Sequence, residues 1–216
     1  MAWLRLLLIM TVLRPMALIL TGADIIGRER LPTAGPAIVA GNHTSHMDTL
    51  MLLALFSPRA LRRVRPAAAA DYFLADPALS WFARNIIGIV PVERARAGQG
   101  VDVLAGAKAA LASGDILVIF PEGTRGDGER PMGPLKSGVA RLAAAFPAAP
   151  VTPVWIQGAG RVLPKGAILP VPMNCCVLVG EPIFWTGDQE LLMAALKTAL
   201  DDLRDKAPPL RWKETG

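Results

Sequence analysis

Short apolar runs recur along this chain, each separated from the next by about one helix of sequence, and that alternation leaves few folds open. Residues 37–41 (AIVAG), 116–120 (ILVIF), 151–156 (VTPVWI) and 175–180 (CCVLVG) have the length and flanking turn formers of buried strands. Residues 64–73 (VRPAAAADYF) read as a strand running into a loop, and 87–92 (IGIVPV) as a further strand. Between them lie helical stretches: 48–56 with Asp48 as N-cap, 77–86 with Pro77 near its start, 100–114 ending at Gly114, 136–145, and a last helix over 188–206. Strands that alternate with helices build an α/β fold, here a mostly parallel central sheet flanked by helices. The 216 residues suffice for one such domain with a substantial core.

The amino-terminal stretch is of another kind. Residues 1–20 (MAWLRLLLIMTVLRPMALIL) are mostly apolar, but Arg5, Arg14 and Pro15 divide them into runs shorter than the ~20 apolar residues of a spanning helix. No small-x-small cleavage site follows promptly, so a signal peptide fits poorly. The expectation is an uncleaved membrane-associated helix over residues 1–22, lying in one leaflet with its arginines snorkelling to headgroups, followed by a domain over 23–216. Packing of that helix against the domain is the alternative.

Composition agrees with membrane contact: 52% of residues are hydrophobic and the mean hydropathy is +0.39, high for a freely soluble protein and too low for a multispan one. A net charge of +5 and a pI near 9.7 call for an acidic partner: anionic lipid, a phosphorylated substrate or nucleic acid. With one tyrosine in the chain and no aromatic-basic interleaving, no nucleic acid is expected. Arg59, Arg62, Arg63 and Arg65 fall between Asp48 and Asp71 with no acid among them, as a solvated loop would have, or a patch facing a phosphate or a leaflet. The adjacent Cys175 and Cys176 suit neither a Cys-x-x-Cys metal pair nor a relaxed disulfide, and read as small strand residues in a reducing compartment.

Both histidines of the chain fall in the heptapeptide NHTSHMD, Asn42 to Asp48. On a continuous helix His43 and Asp48 would point about 140° apart at ~100° per residue, so their contact requires a turn, which the end of a strand supplies. A carboxylate accepting from one imidazole nitrogen fixes the tautomer and leaves the other nitrogen to take a proton from a hydroxyl, the arrangement of a general base. The bland reading is a loop histidine beside a helix cap. A metal site from His43, His46 and Asp48 is disfavoured, because no later histidine completes the shell. His46 reads as local scaffolding. No Gly-x-Ser-x-Gly elbow, P-loop or dinucleotide fingerprint is present.

A second polar stretch, FPEGTRG over 120–126, follows a predicted strand directly. Gly123 permits a tight turn and Arg125 offers a planar fork for an anion. GIVPVER (88–94), VTPVWIQG (151–158) and LKSG (135–138) are weaker signals taken singly.

In order, His43-x4-Asp48, residues 88–94, Phe120-Pro-Glu-Gly-Thr-Arg125 and Val151-Thr-Pro-Val154 resemble the four blocks of the glycerolipid acyltransferase family, of the 1-acyl-glycerol-3-phosphate (lysophosphatidic acid) acyltransferase type. The resemblance runs from about Gly27 to Glu181. It implies the glycerolipid acyltransferase fold and makes residues 23–216 the acyltransferase domain. It further implies that His43 deprotonates an acceptor hydroxyl, that Asp48 orients His43, and that the acceptor phosphate is held by Arg94, Glu122, Gly123, Thr124, Arg125 and Lys136, with Glu122 and Gly123 shaping the loop. Residues 151–154 would line the acyl or thioester side, and backbone N–H groups near Gly123 are candidates for the oxyanion. No metal and no cofactor is implied, because the thioester of acyl-CoA or acyl carrier protein arrives activated. The acceptor is a lysophospholipid, lysophosphatidic acid first, giving phosphatidic acid at the cytoplasmic face of the inner membrane with monotopic attachment. Pro91 and Gly126 depart from the family's usual Phe and Ser, which keeps another acceptor such as a lyso-ornithine lipid open. A non-enzymatic lipid-binding module and a metal-dependent hydrolase are the competing classes.

Overall fold

The computed structural model describes residues 2–69, 76–92, 102–124, 126, 132–164, 167 and 169–209. Its strands are β1 (Asp24–Ile26), β2 (Ala37–Gly41), β3 (Val64–Ala69), β4 (Val90–Val92), β5 (Ile116–Ile119), β6 (Val151–Gln157) and β7 (Cys176–Val179). They form one sheet in the order β1-β7-β6-β2-β5-β3-β4, parallel throughout except where β7 runs antiparallel to β6. The expected sheet is therefore present. β1 was not foreseen: with three residues, half exposed, it carries no apolar run to mark it.

All residues of β2 and β5 are buried, because helices cover both faces. Ala37 and Val39 of β2 point into one core with α3 (His46–Leu55), while Ile38 and Ala40 point into the other, with α6 (Ala105–Ala112), α7 (Gly138–Ala145) and α9 (Gln189–Lys206), as the two-residue strand period requires. The remaining helices are α4 (Pro58–Leu61), α5 (Pro77–Phe82), which continues as a π turn over Ala83–Ile87, and α8 (Ala159–Val162).

The amino-terminal helix belongs to the first of these cores. It comprises α1 (Ala2–Leu8), a π turn (Ile9–Leu13) and α2 (Arg14–Thr21), with Ile9 and Ala17 buried among residues of α3, β2 and β6. Residues 22 and 23 thus divide compositions, not cores. Its other side is open: Trp3, Leu7, Val12, Met16 and Ile19 are exposed. The one five-residue step in that series, Leu7 to Val12, crosses the π turn, whose wider winding keeps the apolar stripe in line. By length and composition Trp3–Thr21 suffices to cross a membrane despite its arginines.

Arg5 corrects the snorkelling expectation. It is 6% exposed and donates to the carbonyls of Leu61 (2.6 Å), Val64 (2.8 Å), Ile86 and Ile87 (3.1 Å each). Leu61 and Ile87 end helical segments whose last carbonyls lack intrahelical partners, and a guanidinium fork is suited to several such acceptors at once.

Candidate active site

β2 ends in the middle of the sheet, and the chain turns sharply there. Asn42 is buried; its Nδ2 donates to Ile156 O (2.8 Å) and its Oδ1 accepts from Ile156 N–H (2.7 Å). The amide thus replaces two ladder bonds and ties the turn to β6. α3 then starts one residue after Ser45, not at Asp48 as the sequence reading had it. Ser45 Oγ accepts from Met47 N–H (3.2 Å), and Asp48 reaches back from the first turn to Ser45 N–H (2.8 Å), a reciprocal capping box. A serine with an acid three residues on was the available signal.

The same Asp48 oxygen, Oδ2, also accepts from Thr44 N–H (2.6 Å) and lies 2.9 Å from His43 Nδ1. Asp48 is fully buried, whereas the His43 side chain keeps 17% of its surface exposed. A carboxylate offers no proton to these donors, so Nδ1 carries the hydrogen and Nε2 is left with its lone pair. Helix capping and imidazole orientation are one construction here.

The loop after β5 grips His43 from the other side. The Phe120 ring stacks on the imidazole, centroids 4.2 Å apart at 16°. Glu122 Oε1 accepts from His43 N–H (2.9 Å) and Oε2 from Gly133 N–H (3.2 Å), while Gly126 N–H donates to His43 O (2.8 Å). Glu122 therefore spends both oxygens on backbone and shapes the loop, as the resemblance implies, and its negative charge favours that role over direct contact with a phosphate. The Gly126 contact is made by main chain, so it is indifferent to whether Gly or Ser stands there. Sequence reasoning missed Phe120, Asn42 and Ser45, whose roles depend on partners brought close by the sheet.

Gly123 has φ 70°, and a Cβ there would fall 2.5 Å from Lys136 Nζ, so glycine lets the lysine lie across the loop. Lys136 and Thr124 are exposed at this end of the sheet. The N–H of Gly123 donates to Phe120 O (3.0 Å) and is thus unavailable to an oxyanion. Arg94 and Arg125 lie outside the described residues. Residues 151–154 are buried within β6, with Val154 in register with Gly41; this block supports the site from within the sheet instead of lining it.

A family model described as acyltransferase matches residues 23–157, which span every element of this site. The chain belongs to the acyltransferase family. Among its relatives, the chain is 32% identical over 145 residues to the chloroplastic 1-acyl-sn-glycerol-3-phosphate acyltransferase BAT2 of Brassica napus, an alignment covering 67% of this chain and 40% of that one. It is 29% identical over 196 residues to the N-acylphosphatidylethanolamine synthase of Arabidopsis thaliana, covering 83% and 65%. The chain thus spans about 40% of the length of the first of these relatives. The crystal structure of the 1-acyl-sn-glycerophosphate acyltransferase PlsC from Thermotoga maritima has the same fold, with a TM-score of 0.72 at 22% identity over 94% of this chain and 81% of that chain.

Proposed function

We propose that this acyltransferase moves a fatty acyl group from a thioester, acyl-CoA or acyl carrier protein, to the free hydroxyl of lysophosphatidic acid, giving phosphatidic acid. The observation that carries the reading is the 2.9 Å contact of His43 Nδ1 with a fully buried Asp48, which leaves the lone pair of Nε2 as the proton acceptor. In this reading Nε2 takes the hydroxyl proton as the acceptor oxygen bonds to the thioester carbonyl carbon. The tetrahedral intermediate collapses with cleavage of the C–S bond, and the imidazolium returns its proton to the departing thiolate. Asp48 stabilises the transient imidazolium. Lys136, whose side chain lies across Gly123, supplies positive charge for the acceptor phosphate together with Arg125 and Arg94, with Thr124 and Gly123 beside it. No metal or cofactor takes part. The exposed stripe of the amino-terminal helix, with Leu79, Trp81 and Phe82 also exposed on α5, rests on the cytoplasmic side of the membrane, where both lipids reside.

Similarity to an N-acylphosphatidylethanolamine synthase favours one second reading, in which an amine replaces the hydroxyl. Thiol release from oleoyl-CoA in detergent, with lysophosphatidic acid or phosphatidylethanolamine as acceptor, separates the two. Release dependent on lysophosphatidic acid and lowered about 10²-fold or more in His43→Ala is the expected result. Release indifferent to His43 would overturn the general base.

A further inference from the structure

An arginine-lined cavity lies at the end of the sheet away from His43. It has a volume of about 330 Å³ and is lined by Arg5, Arg62, Arg65, Arg84, Asn85 and Gly88, among others. Arg62 and Arg63 lead into β3, to which Arg65 belongs, and Gly88 precedes β4. Arg65 pairs across β5 with Leu117, level with Ile38 at the start of β2. At ~3.3 Å per residue the cavity is on the order of 15 Å from His43 along the strands, too far for one phosphate to touch both.

The charges of this cavity are unevenly neutralised. Asp115 is paired with Arg65 (Nε to Oδ2, 3.1 Å) and lies 3.8 Å from Arg63 Nη1. Arg5 is committed to four carbonyls, and burial together with neighbouring Arg65 lowers its pKa to about 10. Arg62 and Arg84 are exposed and have no hydrogen-bond or ion-pair partner among the described residues. A concave site with two uncommitted guanidinium groups, and a third cation fixed in its floor, has the chemistry of an anion receptor. Gly88, at φ 81°, keeps the floor open, since a Cβ there would sit 2.9 Å from Arg5 Nη2.

Its setting selects the source of the anion. Trp3 is two residues from Arg5, and Trp81 and Phe82 lie within three residues of Arg84; all three aromatic side chains are exposed. Exposed aromatic residues on the same helical segments as Arg5 and Arg84, at one end of an exposed apolar helix stripe, match the headgroup level of a bilayer. We infer that this cavity binds the phosphate of an anionic membrane lipid, as a second lipid site separate from the catalytic one. The inference rests on the interfacial placement of the amino-terminal helix and is independent of the reaction at His43.

The test is co-sedimentation of the full chain with phosphatidylcholine vesicles, with and without phosphatidylglycerol, for wild type and the double variant Arg62→Gln, Arg84→Gln. Both side chains are exposed and unpaired, so the variant is expected to fold. Wild type should bind anionic vesicles more tightly than neutral ones, and the variant should lose about 10-fold or more of that difference while keeping its binding to neutral vesicles. Thiol release in detergent should be unchanged. A double variant of α9, Lys197→Gln with Lys206→Gln, removes as much charge on the opposite face and should lose little. Equal losses in the two variants would reduce the effect to net charge and overturn the site. Binding of inorganic phosphate by wild type, with vesicle affinity unaffected in the cavity variant, would overturn the lipid assignment. Failure of wild type to bind even neutral vesicles would instead refute the interfacial placement.

Discussion

Asp48→Asn separates the two duties that one oxygen performs. The substitution keeps volume and shape, and the amide oxygen can take the place of Oδ2, which now accepts from His43 Nδ1, Thr44 N–H and Ser45 N–H. The amide nitrogen would then face Thr44 Oγ1, 3.4 Å from Oδ1, which can accept. The fold should survive. Each of the three bonds changes from charged to neutral acceptor, a loss of about 1 kcal/mol apiece, so stability should fall by about 3 kcal/mol and the melting temperature by roughly 6–12 °C for a domain of this size. Catalysis should suffer more steeply. An imidazolium formed at His43 loses a counter-charge about 4 Å away, worth about 4 kcal/mol at an effective dielectric near 20, or a factor of ~10³ in rate. Ser45→Ala is the comparison. It removes the bonds to Met47 N–H and Leu163 O at about 1–2 kcal/mol of stability, yet touches no group that carries charge in the reaction. Thiol release under saturating acceptor, read beside thermal unfolding, should show Asp48→Asn far below Ser45→Ala in turnover. If Asp48→Asn keeps turnover within about threefold of Ser45→Ala, the carboxylate serves as a cap alone and the dyad reasoning is wrong.

Glu122→Gln can satisfy only one of the two backbone N–H groups that the carboxylate holds and sets an NH2 against the other; stability should drop by about 2–3 kcal/mol, and in the proposed reaction turnover should fall with little change in KM, because His43 moves and Lys136 does not. A rise in KM with turnover unchanged would contradict that assignment. Arg5→Met leaves four buried carbonyls without their donor, and unfolding in urea should show a loss of about 3–5 kcal/mol, with proteolysis releasing the amino-terminal helix first. A variant as stable as wild type would show that the helix is held by its apolar face alone.

What the sequence disclosed follows the range of the interactions involved. The sheet was readable because its central strands are buried on both faces and so appear as unbroken apolar runs, while β1, short and at the edge, leaves no such trace. Asp48, a bare Asp before an apolar run, has the look of an N-cap, although Ser45 three residues earlier carries the better signal. Arg5 reads as an interruption of an apolar helix, and nothing in its neighbours tells that Leu61 and Ile87 will bring their carbonyls to it.

The site itself divides along the same line. His43 and Asp48 are five residues apart, so a single turn brings them together, and their pairing could be inferred from spacing and chemistry. Glu122 stands 79 residues from His43, and only the β2–β5 register, with Ala40 opposite Ile119, delivers its carboxylate to the His43 N–H. A motif glutamate beside an arginine reads naturally as part of an anion site until that register is known. In the proposed reaction, residues around this loop would therefore be lost to catalysis for two different reasons: Glu122, of the third block, by displacing the base, and Lys136, which lies across Gly123 from outside that block, by weakening hold on the acceptor. Kinetics that separate turnover from KM distinguish these where sequence proximity places them together.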